Sequence, residues 1–136
     1  MNTAYNRPLP EPQKWSLEFW KGTKQHEFLL KRCKDCGNID HPPYMHCTEC
    51  SSTNYEWFKA SGMGKIYSFS TTYVGAPPLF ADEQPYTMAM IDLAEGPRML
   101  TQIVGSKPED IKIGLDVEVV FKDVTDEVTL VMFKIV

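Results

Sequence analysis

A chain of 136 residues, 43% of them hydrophobic, is long enough for one modest core and too short for two full-sized domains, although a small appended module still fits. Eight basic against seven acidic residues precede Lys65, and six against eleven run from it onward, so the halves carry +1 and −5. The acidic second half argues against a nucleic acid held through its phosphates. No apolar run is long enough to span a bilayer and Met1 to Pro12 lacks the apolar stretch of a secretory signal, so the expected location is cytoplasmic.

Residues 1–12 carry Pro8, Pro10 and Pro12, a spacing that predicts an extended arm with no core of its own. From Gln13 to about Lys21 the pattern predicts a short helix ending at Gly22. Trp15 and Phe19, four apart, share its apolar face, and Trp20 and Leu17 extend it. His26 to Arg32 and Asn54 to Lys59 read as strands that enter and leave a cysteine-rich segment, the two arms of a ribbon; with the helix they define a unit over 13–61.

The unit over 62–136 is a series of β-runs. Lys65 to Val74 comes first, then Tyr86 to Leu93, then a turn at Glu95-Gly96-Pro97 into Arg98 to Val104, which predicts a hairpin. Ser106 to Ile111, with Pro108, has the cap-then-proline pattern of a helical turn. Leu115, Val117, Val119 and Phe121 alternate with polar residues as in a half-buried strand. Val128 to Val136 is apolar on both faces and calls for cover on both, from the barrel and from either the helix or another chain. Five strands with a helical turn between the third and fourth fit a five-stranded barrel of the OB type, with an SH3-like barrel or a small sandwich as alternatives. The fold class is therefore mainly β, an N-terminal helix and ribbon followed by an OB-fold barrel.

The four cysteines, Cys33, Cys36, Cys47 and Cys50, form two Cys-x-x-Cys pairs with ten residues between them. Clustering of this kind points to metal, because a disulfide framework scatters its cysteines to staple distant loops. Each Cys-x-x-Cys turn presents two thiolates to one ion, and two turns complete a tetrahedral shell for Zn2+ with no open position for substrate. Iron is the competing metal for such a tetrahedron. His41 and His46, in the intervening loop, read as ordinary loop residues.

Taken in order, several segments resemble a family of small proteins with a rubredoxin-like zinc ribbon followed by an OB-fold, first catalogued as a domain of unknown function and found beside thiolases. They are Phe19-Trp20, Arg32-Cys33-x-x-Cys36-Gly37, Pro42-Pro43, Cys47-x-x-Cys50, Trp57 and Gly62-x-Gly64-Lys65-Ile66-Tyr67-Ser68-Phe69. Pro85-Tyr86, Glu95-Gly96 and Ile113-Gly114 leading into Val117-Glu118-Val119 complete the set. The chain departs from the family pattern at Thr48, where a proline is frequent. The resemblance implies a non-catalytic accessory subunit that assembles with a thiolase-like enzyme and helps it to hold acyl-CoA or to complete its active site. In keeping with that, no Ser-His-acid grouping and no phosphate-cradling glycine loop is evident.

For coenzyme A, the candidate phosphate contacts are Lys21, Lys24, Lys31, Arg32 and Lys34, although the plainer reading of these cations is a solvated surface balancing a negatively charged metal centre. For a partner enzyme, the candidates are Trp15, Phe19 and Trp20 on the helix, and Leu79 and Phe80 in the long loop from Gly75 to Pro85, all of which could instead cap the barrel. A nucleic-acid-binding ribbon and OB module is the competing class. Tyr67, Phe69 and Tyr73 could stack on bases, but the −5 barrel opposes a polyanion.

Overall fold

The computed structural model describes residues 5–136; the first four residues of the proline-rich arm lie outside the described residues. The elements run in the order α1 (Leu17–Lys24), β1 (Leu29–Cys33), β2 (Ile39–Asp40), β3 (Tyr55–Lys59), β4 (Met63–Thr72), β5 (Tyr86–Leu93), β6 (Arg98–Val104), β7 (Asp116–Asp123) and β8 (Thr129–Ile135). Short 3-10 turns at Pro78–Glu83 and Pro108–Asp110 fill two of the connections. The antiparallel ribbon sheet has the order β2-β1-β3, and the remaining five strands close a barrel in the order β4-β5-β6-β8-β7, which is the Greek-key circuit of an OB-fold. The one parallel contact of the barrel joins β6 to β8.

Alternation along the strands builds the barrel interior. Ile66, Ala89, Ile91, Leu93, Met99, Ile103, Val117 and Phe133 are all buried there. Gly64 marks the tightest point of the wall: a Cβ on it would lie 2.6 Å from Ile91 Cγ2 and 2.8 Å from the carbonyl oxygen of Asp92. Only glycine lets β4 approach β5 this closely. A register shift between Ile66 and Ser68 then bends β4 around the barrel.

Helix α1 runs through Gly22 rather than stopping there. That glycine serves close packing, since a Cβ would meet the Leu29 side chain at 2.8 Å. The helix ends instead at His26, whose φ of 58° is left-handed. The amide of Glu27 donates to Gly22 O and that of His26 to Thr23 O, both at 2.9 Å, a Schellman termination with histidine where glycine is usual. The barrel holds this conformation in place. The His26 ring stacks on Phe121 at 5.1 Å, and its Nε2 lies 3.1 Å from Asp123 Oδ1.

A second core joins helix, ribbon and barrel. Phe19 is buried against Trp20, Phe28 and His41, and Phe28 meets Phe133 of β8 edge-on at 6.0 Å. The helix thus covers part of β8, but Leu130, Val131 and Met132 remain only half-buried. In the arm, Arg7 reaches the Pro78–Glu83 turn, bonding Asp82 at 2.8 Å and Glu83 at 3.0 Å while lying 5.1 Å from the Phe80 ring centroid.

Candidate metal centre

Two similar turns present the cysteines. In the first, Gly37 N–H donates to Cys33 O at 2.9 Å and Gly37 is left-handed at φ 80°; in the second, Ser51 N–H donates to Cys47 O at 2.9 Å and Ser51 is left-handed at φ 64°. The four sulfurs lie within 4.8 Å of one another, with Cys33–Cys50 at 3.6 Å and Cys36–Cys47 at 3.5 Å. A tetrahedron with metal–sulfur bonds of about 2.3 Å has edges of about 3.8 Å, whereas a disulfide brings its sulfurs to about 2.05 Å. The spacing therefore fits four thiolates around one zinc ion and excludes disulfides.

The electrostatics agree with that fit. The backbone N–H groups of Cys50 and Glu49 hold the Cys47 thiol down to about 7. Cys36 is pushed up to about 12: the N–H of Asn38 favours its thiolate, but the thiols of Cys47, Cys50 and Cys33 and partial burial outweigh it. Thiols packed this closely cannot all ionise without a cation among them.

Polar clips hold both turns. Asp35 accepts from Ser52 Oγ at 2.5 Å and from Asn54 Nδ2 at 3.2 Å, tying the first turn to the chain beyond the second. Asp40, on β2, accepts from Thr48 Oγ1 at 2.6 Å and from the Thr48 amide at 3.2 Å. This accounts for the departure from the family pattern. A proline at 48 would offer neither donor, and threonine supplies both. His41 and His46 do not join the sulfur cluster. His41 instead packs its ring between Phe19 and Phe28, and burial pushes its pKa down to about 4.

The five candidate cations do not form one patch. Lys31 and Arg32 are adjacent on β1 and so face opposite sides of the ribbon sheet. Lys31 is only 5% exposed: its Nζ donates to Tyr44 O at 2.5 Å and lies 3.5 Å from the Tyr55 ring centroid. Burial lowers its pKa, with Asp40 opposing. The expectation of a phosphate contact at Lys31 is thus corrected, because the cation is used to pin the Tyr44 loop to the sheet. Arg32 stays half-exposed over the Phe58 ring and beside Glu56, Lys21 beside Glu18, and Lys24 bonds the Asp126 carbonyl. Lys34 is exposed.

Among the candidate partner residues, Phe19 is also corrected, since it sits in the core between helix, ribbon and barrel and offers no surface. Phe80 folds back onto Tyr86 at 6.5 Å, beneath Arg7, while Leu79 is exposed. Trp15 and Trp20 are half-buried and line a cleft between α1 and the barrel that the sequence does not announce. Tyr67, Phe69 and Tyr73 are exposed rather than packed inside, and Arg98 lies 3.4 Å over Tyr67. No helix among the described residues is long and apolar enough to cross a membrane.

A four-thiol ribbon joined to a closed Greek-key barrel defines a zinc-ribbon and OB-fold protein. Two family models match it in succession, the ChsH2 rubredoxin-like zinc ribbon domain over residues 20–56 and the ChsH2 C-terminal OB-fold domain over residues 57–122. The chain belongs to the DUF35 family. It is 40% identical over 116 residues to a DUF35 domain-containing scaffold protein of Methanocaldococcus jannaschii, covering 84% of this chain and 82% of that one. It is 42% identical over 97 residues to the benzoylsuccinyl-CoA thiolase subunit BbsA of Geobacter metallireducens, covering 71% and 58%. A probable enoyl-CoA hydratase alpha subunit of Thermomonospora curvata is 33% identical over 128 residues; that match covers 94% of this chain but only 40% of the longer protein. Among solved structures, an Ltp2-ChsH2(DUF35) aldolase chain superposes with a TM-score of 0.83 at 31% identity, covering 93% of this chain and 98% of that one.

Proposed function

We propose that this chain is a non-catalytic accessory subunit of a thiolase-like enzyme, which it helps to hold acyl-CoA or to complete its active site. The observation that carries this reading is the near end-to-end match to a DUF35 chain solved in an aldolase with Ltp2, together with relatives named as a scaffold protein or as subunits of acyl-CoA enzymes. The chemistry of the metal centre supports it. Four cysteine ligands saturate zinc, so the ion rigidifies the ribbon and leaves no position for water or substrate.

Apolar surface supports an assembly role as well. Leu79 on the loop, Tyr73 and Val74 after β4, and Leu100 on β6 are all exposed. Of the cations, Lys21, Lys24, Arg32 and Lys34 retain the exposure needed to meet coenzyme A phosphates, and Lys31 does not. The test is to express the chain with a thiolase-like enzyme of its source organism and to measure thiolytic turnover with and without the small subunit. The reading expects turnover to depend on the subunit; full activity of the enzyme alone contradicts it.

A further inference from the structure

The four sulfurs are not equivalent. Each Cys-x-x-Cys turn aims backbone N–H groups of its own loop at its first sulfur. Cys33 accepts from the amides of Asp35 and Cys36 and is 4% exposed. Cys47 is half-buried and accepts from the amides of Cys50 and, at 3.4 Å, Glu49, and from Asn38 Nδ2 at 3.7 Å. The second sulfur of each turn is barer. Cys36 accepts from one amide, that of Asn38, and Cys50 from one, that of Ser52, and both residues are exposed. A hydrogen bond to a thiolate stabilises its charge and lowers its nucleophilicity, so the exposed, singly bonded sulfurs are the reactive ones.

The contacts between the turns pair unequal sulfurs. Cys36 lies 3.5 Å from Cys47, and Cys50 lies 3.6 Å from Cys33. In each pair an accessible nucleophile of one turn stands beside a better stabilised thiolate of the other. Cys36 and Cys47 make the more open pair, because Cys47 is half-buried and Cys33 is buried. Side-chain clips join the two halves of the ribbon without using the sulfurs: Asp35 holds Ser52 and Asn54, and Asp40 holds Thr48.

We propose that Cys36 and Cys47 form a two-electron oxidation site, at which a small uncharged hydroperoxide converts two zinc-binding thiolates into a disulfide between the turns and so releases the ion. With hydrogen peroxide, the Cys36 thiolate attacks one oxygen; an S–O bond forms, the O–O bond breaks and hydroxide leaves, giving a sulfenic acid. The Cys47 thiolate then attacks the Cys36 sulfur; the S–S bond forms, the S–O bond breaks and a second hydroxide leaves. The two thiolates supply both electrons, and two protons from solvent convert the hydroxides to water. Cys33 and Cys50 remain as thiolates, too few for the tetrahedral shell of a structural zinc. The Asp35 and Asp40 clips keep the turns in register meanwhile, so reduction re-forms the four-thiolate site.

The zinc-loaded full chain is treated with hydrogen peroxide beside a chromophoric zinc chelator, at a dose that leaves its seven methionines unoxidised, and disulfides are mapped by peptide mass spectrometry. Zinc release is expected, with the first disulfide joining Cys36 to Cys47, and dithiothreitol with added zinc should restore the metal content. Cys36→His keeps a zinc ligand but removes the attacking sulfur, and should slow peroxide-driven release about tenfold. Should that variant fail to load zinc, the wild-type map decides alone. Zinc retained at that dose overturns the proposal, as does a first disulfide within one turn or between Cys33 and Cys50. A zinc-loaded Cys36→His chain that loses its metal to peroxide as fast as wild type overturns it too.

Discussion

Replacing Lys31 by methionine separates a structural cation from a ligand-binding one. Methionine keeps the apolar stem packed beside Tyr55 and Trp57 but removes the ammonium that donates to Tyr44 O and lies over the Tyr55 ring. A hydrogen bond from a charged donor is worth about 1.5–3 kcal/mol, and a partly desolvated cation–π contact about 0.5–2 kcal/mol. Against these stands the desolvation of the ammonium, which its lowered pKa records and which methionine avoids. The net loss is about 2 kcal/mol. At about 2.1 cal/mol/K per residue of unfolding entropy, that lowers Tm by about 7 °C in a chain of this size. Thermal unfolding of the zinc-loaded protein reads the shift directly, and the KM of the assembled enzyme for its CoA thioester should be unchanged. A variant as stable as wild type that raises KM would refute the structural role and restore Lys31 as a phosphate contact.

Gly64→Ala should cost about 2–3 kcal/mol, since its methyl overlaps Ile91 and the Asp92 carbonyl in a wall paired on both sides; urea unfolding within about 0.5 kcal/mol of wild type would contradict the close approach. Cys47→Ser should release the metal to a chelator that leaves wild type with one zinc per chain by elemental analysis, because a structural zinc of this type contributes about 10–16 kcal/mol in all and tolerates loss of a thiolate poorly. His41 titrates near 4 when folded and near 6.5 when unfolded, so the unfolded chain takes up the proton first as pH falls. Its contribution to stability is full above about pH 6.5 and declines as pH falls toward 4, by about 2 kcal/mol at pH 5. Chemical unfolding across that range should show this slope in wild type and lack it in His41→Gln; equal slopes would refute it.

The parts of this molecule that follow from local chemistry were legible in its sequence. Two Cys-x-x-Cys turns bring their own four sulfurs together, and alternation in Tyr86 to Leu93 and Arg98 to Val104 sets the hairpin with its bounds as found. Features that depend on a distant neighbour were not. Gly22 reads as a helix stop, yet it is small because Leu29 packs against it, and the true stop is His26, held left-handed by Phe121 and Asp123 from the far end of the chain. Lys31 reads as a surface cation because nothing nearby in sequence foretells the ring of Tyr55 or the carbonyl of Tyr44. The cleft between α1 and the barrel arises from packing between distant elements, which no residue pattern within either records.

Assembly itself is the most direct test of the account. The chain, of 15.6 kDa before a tag is added, is co-expressed with a thiolase-like enzyme of its source organism, and the purified material is weighed by native mass spectrometry. One species containing both proteins is expected, with one zinc for each copy of this chain. Recovery of this chain alone at its own mass, beside an enzyme that carries none of it, would contradict the account.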